Sequence, residues 1–299
     1  MATIYSHRSN NVLKTWLLVG VFLVIVLGLG AFFSYYYNNP SILTGAIIFS
    51  VIMNIASFWF SDKIALAQAH AVPADRAKYA ELHRIVETLA ITAGIPKPSV
   101  YVIPDRAPNA FATGRGPRHA SIAFTEGLLA TLDRSELEGV AAHELSHVDN
   151  RDILLNSVVA VLVGFIAMLA DFFTRTMLFR GGDSDRERQG GNVIAIVGVL
   201  FAFLAPFAAT LIQLAISRKR EYLADASGAL LTRYPEGLAS ALKKISAYSA
   251  PMRSASHATA HLYISNPFGT GSLREGFTQL FMTHPPAEKR IRALEEMSM

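Results

Sequence analysis

The sequence predicts an α+β membrane protein with four transmembrane helices and a domain that contains a small β-sheet. Three observations favour this fold class. Hydrophobic residues make up 52% of the 299 residues and charged residues only 17%, whereas charged residues make up about 25% of a typical soluble protein. Long uncharged runs alternate with polar stretches, and one polar stretch contains several short segments with strand-like composition.

The first uncharged run extends from Thr15 to Ser61 and is long enough for two membrane crossings. The turn signal Asn38-Asn39-Pro40 divides it into two halves of about 20 residues. Residues 1–61 are therefore predicted to form an N-terminal tail and a transmembrane hairpin, with helices over about 15–37 and 41–60.

Two further uncharged runs occupy most of residues 153–217. They predict the third and fourth transmembrane helices, over about 153–173 and 192–216, joined by a charged loop. The alternative is that both runs are buried core helices, but the polar remainder of the chain is too small to cover so much apolar surface. Residues 62–152 and 218–299 are then two parts of one domain outside the membrane.

Residues 62–152 have the composition of a soluble domain. Apolar residues at helical spacing predict an amphipathic helix over Pro73–Thr92. Three short segments after it read as strands because they are rich in β-branched, aromatic and small residues between turn signals. These predicted strands cover 99–103, 109–114 and 120–124.

The motif His-Glu-x-x-His is formed by His143, Glu144 and His147. On an α-helix, residues advance by about 100° each, so these three side chains share one face. Two imidazoles one turn apart can bind the same metal ion, and the neighbouring carboxylate can take a proton from water on that metal, as in zinc peptidases. Capping-box spacing between Asp133 and Glu136 supports the helix. Because the motif arises by chance in roughly one chain in a hundred of this length, the prediction needs a third ligand.

Glu221 and Asp225 provide the candidates for completing this site, since they lie four residues apart on a predicted helix. We expect Glu221 to be the third zinc ligand and Asp225 to accept the far N–H of a ligating histidine. The alternative is a solvated charge cluster with Arg218 and Lys219. Four crossings place the His-Glu-x-x-His motif and Glu221 at the same membrane surface, which a shared metal site requires.

One predicted strand is a candidate for binding substrate. A peptide can bind as an added strand along an exposed sheet edge, where backbone hydrogen bonds supply affinity. We expect the segment Asn109–Thr113 to be this edge. An ordinary hairpin without a ligand remains the alternative.

Three other histidines need an interpretation. His284 precedes two prolines, which hold it in an extended loop, and we expect it to stabilise the oxyanion of a tetrahedral intermediate. A turn that starts the last helix is the alternative. His257 and His261 share the spacing of the zinc histidines but have no neighbouring acid, so they are predicted to be surface residues.

Composition limits the partners of the chain. It contains no cysteine, which excludes disulfides, a thiol nucleophile and thiolate zinc ligands. The net charge is +4 and the basic residues are scattered among acidic ones, which does not suggest a nucleic acid partner but fits contact with the headgroups of a lipid bilayer. The distribution of Lys and Arg around the predicted crossings favours a domain on the cytoplasmic side.

Four ordered motifs resemble those of the HtpX family of bacterial membrane zinc endopeptidases and, more distantly, those of the CAAX prenyl proteases. They are Asn109-Ala110-Phe111-Ala112-Thr113-Gly114, His143-Glu144-Leu145-Ser146-His147, Glu221-Tyr222-Leu223-Ala224-Asp225 and Thr283-His284-Pro285-Pro286.

The resemblance implies a zincin-like (gluzincin) catalytic domain that binds one Zn²⁺ through His143, His147 and Glu221, with Glu144 as the catalytic base. It also implies cleavage of damaged, unfolded or misassembled membrane proteins from the cytoplasmic face of the inner membrane, in protein quality control and the stress response. Asn109, Ala110, Phe111, Ala112 and His284 match motifs that lie near the substrate.

Three other functions are compatible with parts of the sequence. A CAAX-type prenyl-peptide protease is disfavoured because the resemblance implies more crossings for that class. A non-catalytic scaffold that uses zinc for stability would not need Glu144, since a structural site fills the fourth zinc position. A transporter is disfavoured because the predicted crossings carry almost no ionisable residues.

Overall fold

The computed structural model describes residues 4–180, 218–254, 256, 259–269 and 285–297. It combines helices with one small mixed sheet, as the predicted α+β class requires. The helices are α1 (Ile4–Tyr36), α2 (Pro40–Trp59), α3 (Ser61–Gln68), α4 (Ala80–Ala93), α5 (Glu126–Thr131), α6 (Arg134–Asp149), α7 (Asp152–Arg180), α8 (Arg218–Thr232), α9 (Pro235–Ala247) and α10 (Ala287–Glu295). The strands are β1 (Val72–Pro73), β2 (Ser99–Ile103), β3 (Ala110–Gly114) and β4 (Ala120–Thr125).

The N-terminal hairpin agrees with the sequence. Within the described residues, two helical stretches are long and apolar enough to cross a membrane, Asn11–Tyr36 and Pro40–Trp59. Asn39 ends the turn between them, because its side chain accepts a hydrogen bond from the backbone N–H of Ser41 and so caps α2. Pro40 occupies the first turn of α2, where its missing N–H costs nothing.

Of the four predicted crossings, two are present as membrane-length helices in the part of the chain that the structure describes. The predicted third crossing lies on α7 (Asp152–Arg180), in which Asp152–Ile166 is an apolar stretch. Several of its apolar side chains there pack against Leu18 and Phe22 of α1, so α7 lies beside the N-terminal hairpin. The predicted fourth crossing, at about 192–216, lies outside the described residues.

The sheet has the strand order β1-β2-β4-β3. β2 and β4 are parallel, whereas β3 pairs antiparallel with β4 alone and therefore forms an edge. The predicted strands at 99–103, 109–114 and 120–124 are confirmed to within one residue at each end. The predicted position of residues 109–113 at the edge of the sheet is also confirmed.

The helix predicted over Pro73–Thr92 is shorter in the structure and begins only at Ala80. Pro73 instead lies in β1, which pairs antiparallel with β2. The Asp75 side chain then accepts hydrogen bonds from two backbone N–H groups just ahead of it. This local bonding favours a turn over a helix.

Helix α6 lies at the centre of the domain, between the sheet, α4, α8 and α9. It begins with the expected capping box, in which Asp133 and Glu136 bond reciprocally to each other's backbone. Gly228 allows α8 to approach α6 closely, since a Cβ atom at this position would lie 3.0 Å from the backbone N of His143. Glu221, Asp225 and Gly228 are spaced to share one face of α8, and this face is buried.

Candidate active site

The structure brings together three buried side chains that can bind one metal ion: His143 and His147 of α6 and Glu221 of α8. The two Nε2 atoms are 3.2 Å apart. The Glu221 carboxylate oxygens lie 3.9 Å from His143 Nε2 and 3.7 Å from His147 Nε2. Tetrahedral zinc with bonds of about 2.0–2.1 Å would hold two nitrogen ligands about 3.3 Å apart, so the donor atoms fit a zinc ion.

His143 is oriented by a buried ion pair. Its Nδ1 lies 2.9 Å from Asp225 Oδ1, and Arg290 of α10 binds both carboxylate oxygens of Asp225 at 2.9 and 2.7 Å. Arg290 also donates to the carbonyl oxygen of Ile264 at 3.1 Å and lies 3.7 Å from Glu221. Because Asp225 accepts the Nδ1 proton, the lone pair of His143 Nε2 faces the metal position.

His147 is oriented by a different carboxylate. Its Nδ1 lies 3.1 Å from Asp152 Oδ2, at the start of α7. Arg151 adopts the left-handed conformation (φ 59°) between α6 and α7, and this turn returns Asp152 to the histidine. Asp152 Oδ1 accepts a hydrogen bond of 2.7 Å from Asn11 of α1 and lies 3.6 Å from Arg220.

The two histidines therefore lie in different electrostatic surroundings. Burial and the charge of Arg290 outweigh the opposing effect of Asp225, and together they lower the pKa of His143 to about 4. Burial also disfavours the charged form of His147, but its hydrogen bond with Asp152 and the charge of Glu221 outweigh this and raise its pKa to about 9. Burial alone would raise the pKa of Asp225, whereas Arg290 holds it at about 2.

Glu144 lies beside the ligands and is almost completely buried. The backbone of Ala112, on β3, lies next to it and lowers its pKa slightly. Burial, reinforced by the negative charge of Glu221, raises the pKa of Glu144 to about 7. A carboxyl group with a pKa near the working pH can both accept and return a proton.

A cavity opens in front of these side chains, and His261 lines it together with the three metal-binding residues and Glu144. The prediction that His261 is a surface residue is wrong, because only 3% of it is exposed. Its Nε2 lies 3.0 Å from the carbonyl oxygen of Asn156 and must donate there, since a carbonyl only accepts. The spacing to His257 gave no signal of this burial, which results from packing against α7.

The candidate substrate residues lie along β3. Ala112 lines the cavity, whereas the Phe111 ring packs against Tyr263 at a centroid distance of 5.2 Å. Ile264 donates its backbone N–H to the carbonyl oxygen of Ala110 at 3.0 Å. Asn109 bonds through its side chain to the backbone of residue 265, with its Nδ2 donating at 3.0 Å and its Oδ1 accepting at 3.2 Å. The edge near Asn109 and Ala110 is thus covered by the chain itself, and Ala112 is the member of the set that reaches the cavity.

Two predicted residues cannot be placed in the site, and two residues of the site were not predicted from the sequence. His257 and His284 lie outside the described residues. Asp152 and Arg290 were missed, although Arg290 carried a signal. It is four residues before the apolar Leu294 on a short helix, and a basic residue on the buried face of an amphipathic helix indicates a buried partner.

A His-Glu-x-x-His helix with a glutamate from a second helix defines a zinc metalloendopeptidase, and comparisons with known proteins agree. The model of "Peptidase family M48" matches residues 76–298. A protein named "Protease HtpX homolog" from Thermoanaerobacter pseudethanolicus is 48% identical over 303 residues, which cover 99% of each chain. One from Pyrococcus furiosus is 47% identical over 286 residues, 95% of this chain and 96% of the relative. The chain belongs to peptidase family M48 and, within it, to the HtpX proteases.

The fold is also similar to the crystal structure of Ste24p from S. mikatae. The TM-score is 0.51 at 18% sequence identity, and the match covers 98% of this chain and 66% of that protein. At this identity, the likeness concerns the fold alone.

Proposed function

We propose that this zinc metalloendopeptidase is anchored in the inner membrane and cleaves unfolded or misassembled membrane proteins, in quality control and the stress response. The observation that carries the proposal is the position of the buried His143, His147 and Glu221 site beside the N-terminal hairpin. Asn11 lies at the start of the first membrane-length helix and donates a hydrogen bond to Asp152. Asp152 in turn contacts the metal-binding residue His147. A cavity at the end of a membrane hairpin is suited to chains that are presented at a membrane surface.

The proposed arrangement has one catalytic domain divided by membrane segments. Residues 62–152 and 218–299 form its two parts, with the third and fourth crossings between them. Packing of α8 against α6 supports this division, because it unites Glu221 with the histidines. The active site faces the cytoplasm, as the distribution of Lys and Arg around the crossings favours.

Peptide hydrolysis requires a nucleophile, a proton carrier and a means of holding the substrate. Zinc, when bound, lowers the pKa of water and polarises a carbonyl group. Glu144 removes a proton from the attacking water and later delivers it to the leaving amine, for which its pKa of about 7 is suited. His284, which lies outside the described residues, is proposed to donate to the oxyanion, because the prolines that follow it favour an extended backbone there.

The substrate is proposed to bind as an extended strand along the outer edge of β3. Ala112 supplies the backbone groups that reach the cavity, beside Glu144. Asn109 and Ala110 mark the end of the available edge, because they are already hydrogen-bonded to residues 265 and 264. The Phe111 side chain packs on the opposite face and holds the strand in place. Backbone pairing holds extended chains without demanding a sequence, which suits an enzyme that removes damaged proteins.

The test compares the purified, detergent-solubilised parent protein with its Glu144→Gln variant, using an unfolded membrane protein as substrate. We expect the variant to retain one zinc per chain but to lose cleavage by a factor of about 10²–10⁴, because only the proton carrier is removed. Glu138→Gln is the matched control, since Glu138 lies on the same helix but is partly exposed and pairs with Arg134. Full cleavage by Glu144→Gln would refute the catalytic role and favour a zinc-stabilised scaffold.

A further inference from the structure

Asn11 is an unusual residue for the buried side of a membrane-length helix. Together with Thr15, Leu18 and Phe22, it forms the stripe of α1 that is at most 5% exposed. An amide in such a position is costly unless its donors and acceptor are bonded. An apolar residue of similar size would fill the same space, so the hydrogen bonds of Asn11 need an explanation.

Both N–H bonds of the Asn11 amide are directed at the turn between α6 and α7. Nδ2 donates to Asp152 Oδ1 at 2.7 Å and to the carbonyl oxygen of Asn150 at 3.2 Å. These acceptors lie on either side of Arg151, whose left-handed conformation forms the turn. Asn11 therefore holds the turn from both sides.

Asp152 connects Asn11 to the metal-binding residue His147. Its two oxygens have separate roles, since Oδ1 accepts from Asn11 and Oδ2 faces His147 Nδ1 at 3.1 Å. Asp152 is 2% exposed, so water does not replace either contact. A carboxylate that is fixed in this way fixes in turn the tautomer and the ring orientation of the histidine.

We propose that Asn11 is a positioning residue for the zinc site, acting on His147 through Asp152. The proposal rests on the assignment of His147 as a zinc ligand. Its consequence is that the first membrane helix contributes to metal binding as well as to anchoring. The domain binds zinc at full affinity only when α1 is docked against the turn between α6 and α7.

The test measures the zinc affinity of the full-length protein in detergent by competition with a chelator. We expect Asn11→Leu, which keeps the number and branching of side-chain heavy atoms but removes both donors, to weaken zinc binding by about 10-fold, at the lower end of the range for lost partners of metal ligands. Thr15→Val is the matched control, because Thr15 lies one turn away in the same stripe and its hydroxyl bonds only to the carbonyl oxygen of Asn11 in its own helix. Its zinc affinity should equal that of the parent.

A double-mutant cycle distinguishes positioning from general packing. If Asn11 acts through Asp152, then Asn11→Leu combined with Asp152→Asn should weaken zinc binding no more than Asp152→Asn alone. Additive losses, an unchanged affinity in Asn11→Leu, or an equal loss in Thr15→Val would each overturn the proposal. Asn11→Ala provides the same comparison if Asn11→Leu does not fold. Since the readout is zinc binding, these outcomes do not depend on which proteins the enzyme cleaves.

Discussion

The two zinc-binding histidines lie one turn apart on α6, yet their supports come from different parts of the molecule. His143 is held by Asp225 and Arg290, on α8 and α10 of the catalytic domain. His147 is held by Asp152, which is bonded in turn to Asn11 of the N-terminal hairpin. One support is internal to the domain, and the other crosses to a membrane-length helix.

The supports also differ in charge. Asp225 is matched by a guanidinium that binds both of its oxygens, which is the strongest form of carboxylate recognition. The nearest donor to Asp152 is a neutral amide, with Arg220 more distant at 3.6 Å. This difference contributes to the contrast between the pKa of His143, which burial and Arg290 lower to about 4, and that of His147, which Asp152 and Glu221 raise to about 9. A metal ligand can thus be oriented in the same way by a neutralised or by a charged partner, with opposite effects on its proton affinity.

Breaking the internal support should have the largest effect. Arg290→Leu leaves the Asp225 carboxylate buried without its main partner, so we expect the free energy of unfolding to fall by about 3–5 kcal/mol. Zinc binding should weaken as well, because Asp225 no longer holds His143 in place. Thermal unfolding in detergent and zinc content measure the two effects. Arg292→Leu, an exposed arginine on the same helix, is the control, and an equal loss in both variants would show that the ion pair has no special role.

Breaking the second support should affect metal binding more than stability. Asp152→Asn replaces the acceptor of His147 with a group that can donate, which favours the tautomer that cannot bind zinc through Nε2. We expect zinc affinity to fall by about 10–100-fold, measured by chelator competition. Asp75→Asn, on an exposed turn, should leave affinity unchanged. Parent-like affinity in Asp152→Asn would mean that only His143 needs a partner.

The smallest effect is expected outside both supports, at the start of α6. Burial raises the pKa of Glu136, but hydrogen bonds from Lys244 and Ser240 lower it below its usual value overall. A lowered pKa stabilises the fold above the unfolded pKa, and this contribution disappears as the pH falls through the folded value. Glu136→Gln should therefore destabilise the protein by about 1 kcal/mol at pH 7, since the buried carboxylate loses the charge in its hydrogen bonds with Lys244 and Ser240.

This difference between Glu136→Gln and the parent should vanish at low pH, in thermal unfolding followed from pH 7 downwards. Zinc affinity should stay at the parent value, because Glu136 contacts neither histidine support. A loss of zinc in this variant would show that the start of α6 influences the site, and would remove the contrast between the two supports.

Periodicity and motif spacing were sufficient to predict a large part of the secondary structure. The hairpin around Asn39, the strands of the sheet and the capped helix with His143 and His147 all follow from patterns within about twenty neighbouring residues. Glu221 could be found because Asp225 lies four residues after it on a predicted helix and because four crossings would place it at the same membrane surface as the histidines. Such patterns do not show how much of the apolar run on α7 is covered by protein and how much by lipid.

Local pattern thus determined which residues could bind zinc, since the spacing of His143 and His147 on a helix follows from helical geometry alone. The partners that hold the ligands were decided by the tertiary structure. Asn11 and Asp152 are 141 positions apart, and neither carries a signal of the other along the chain. Only the docking of α1 against the turn between α6 and α7 brings them into contact, because a hydrogen bond depends on position in space and not on distance in sequence.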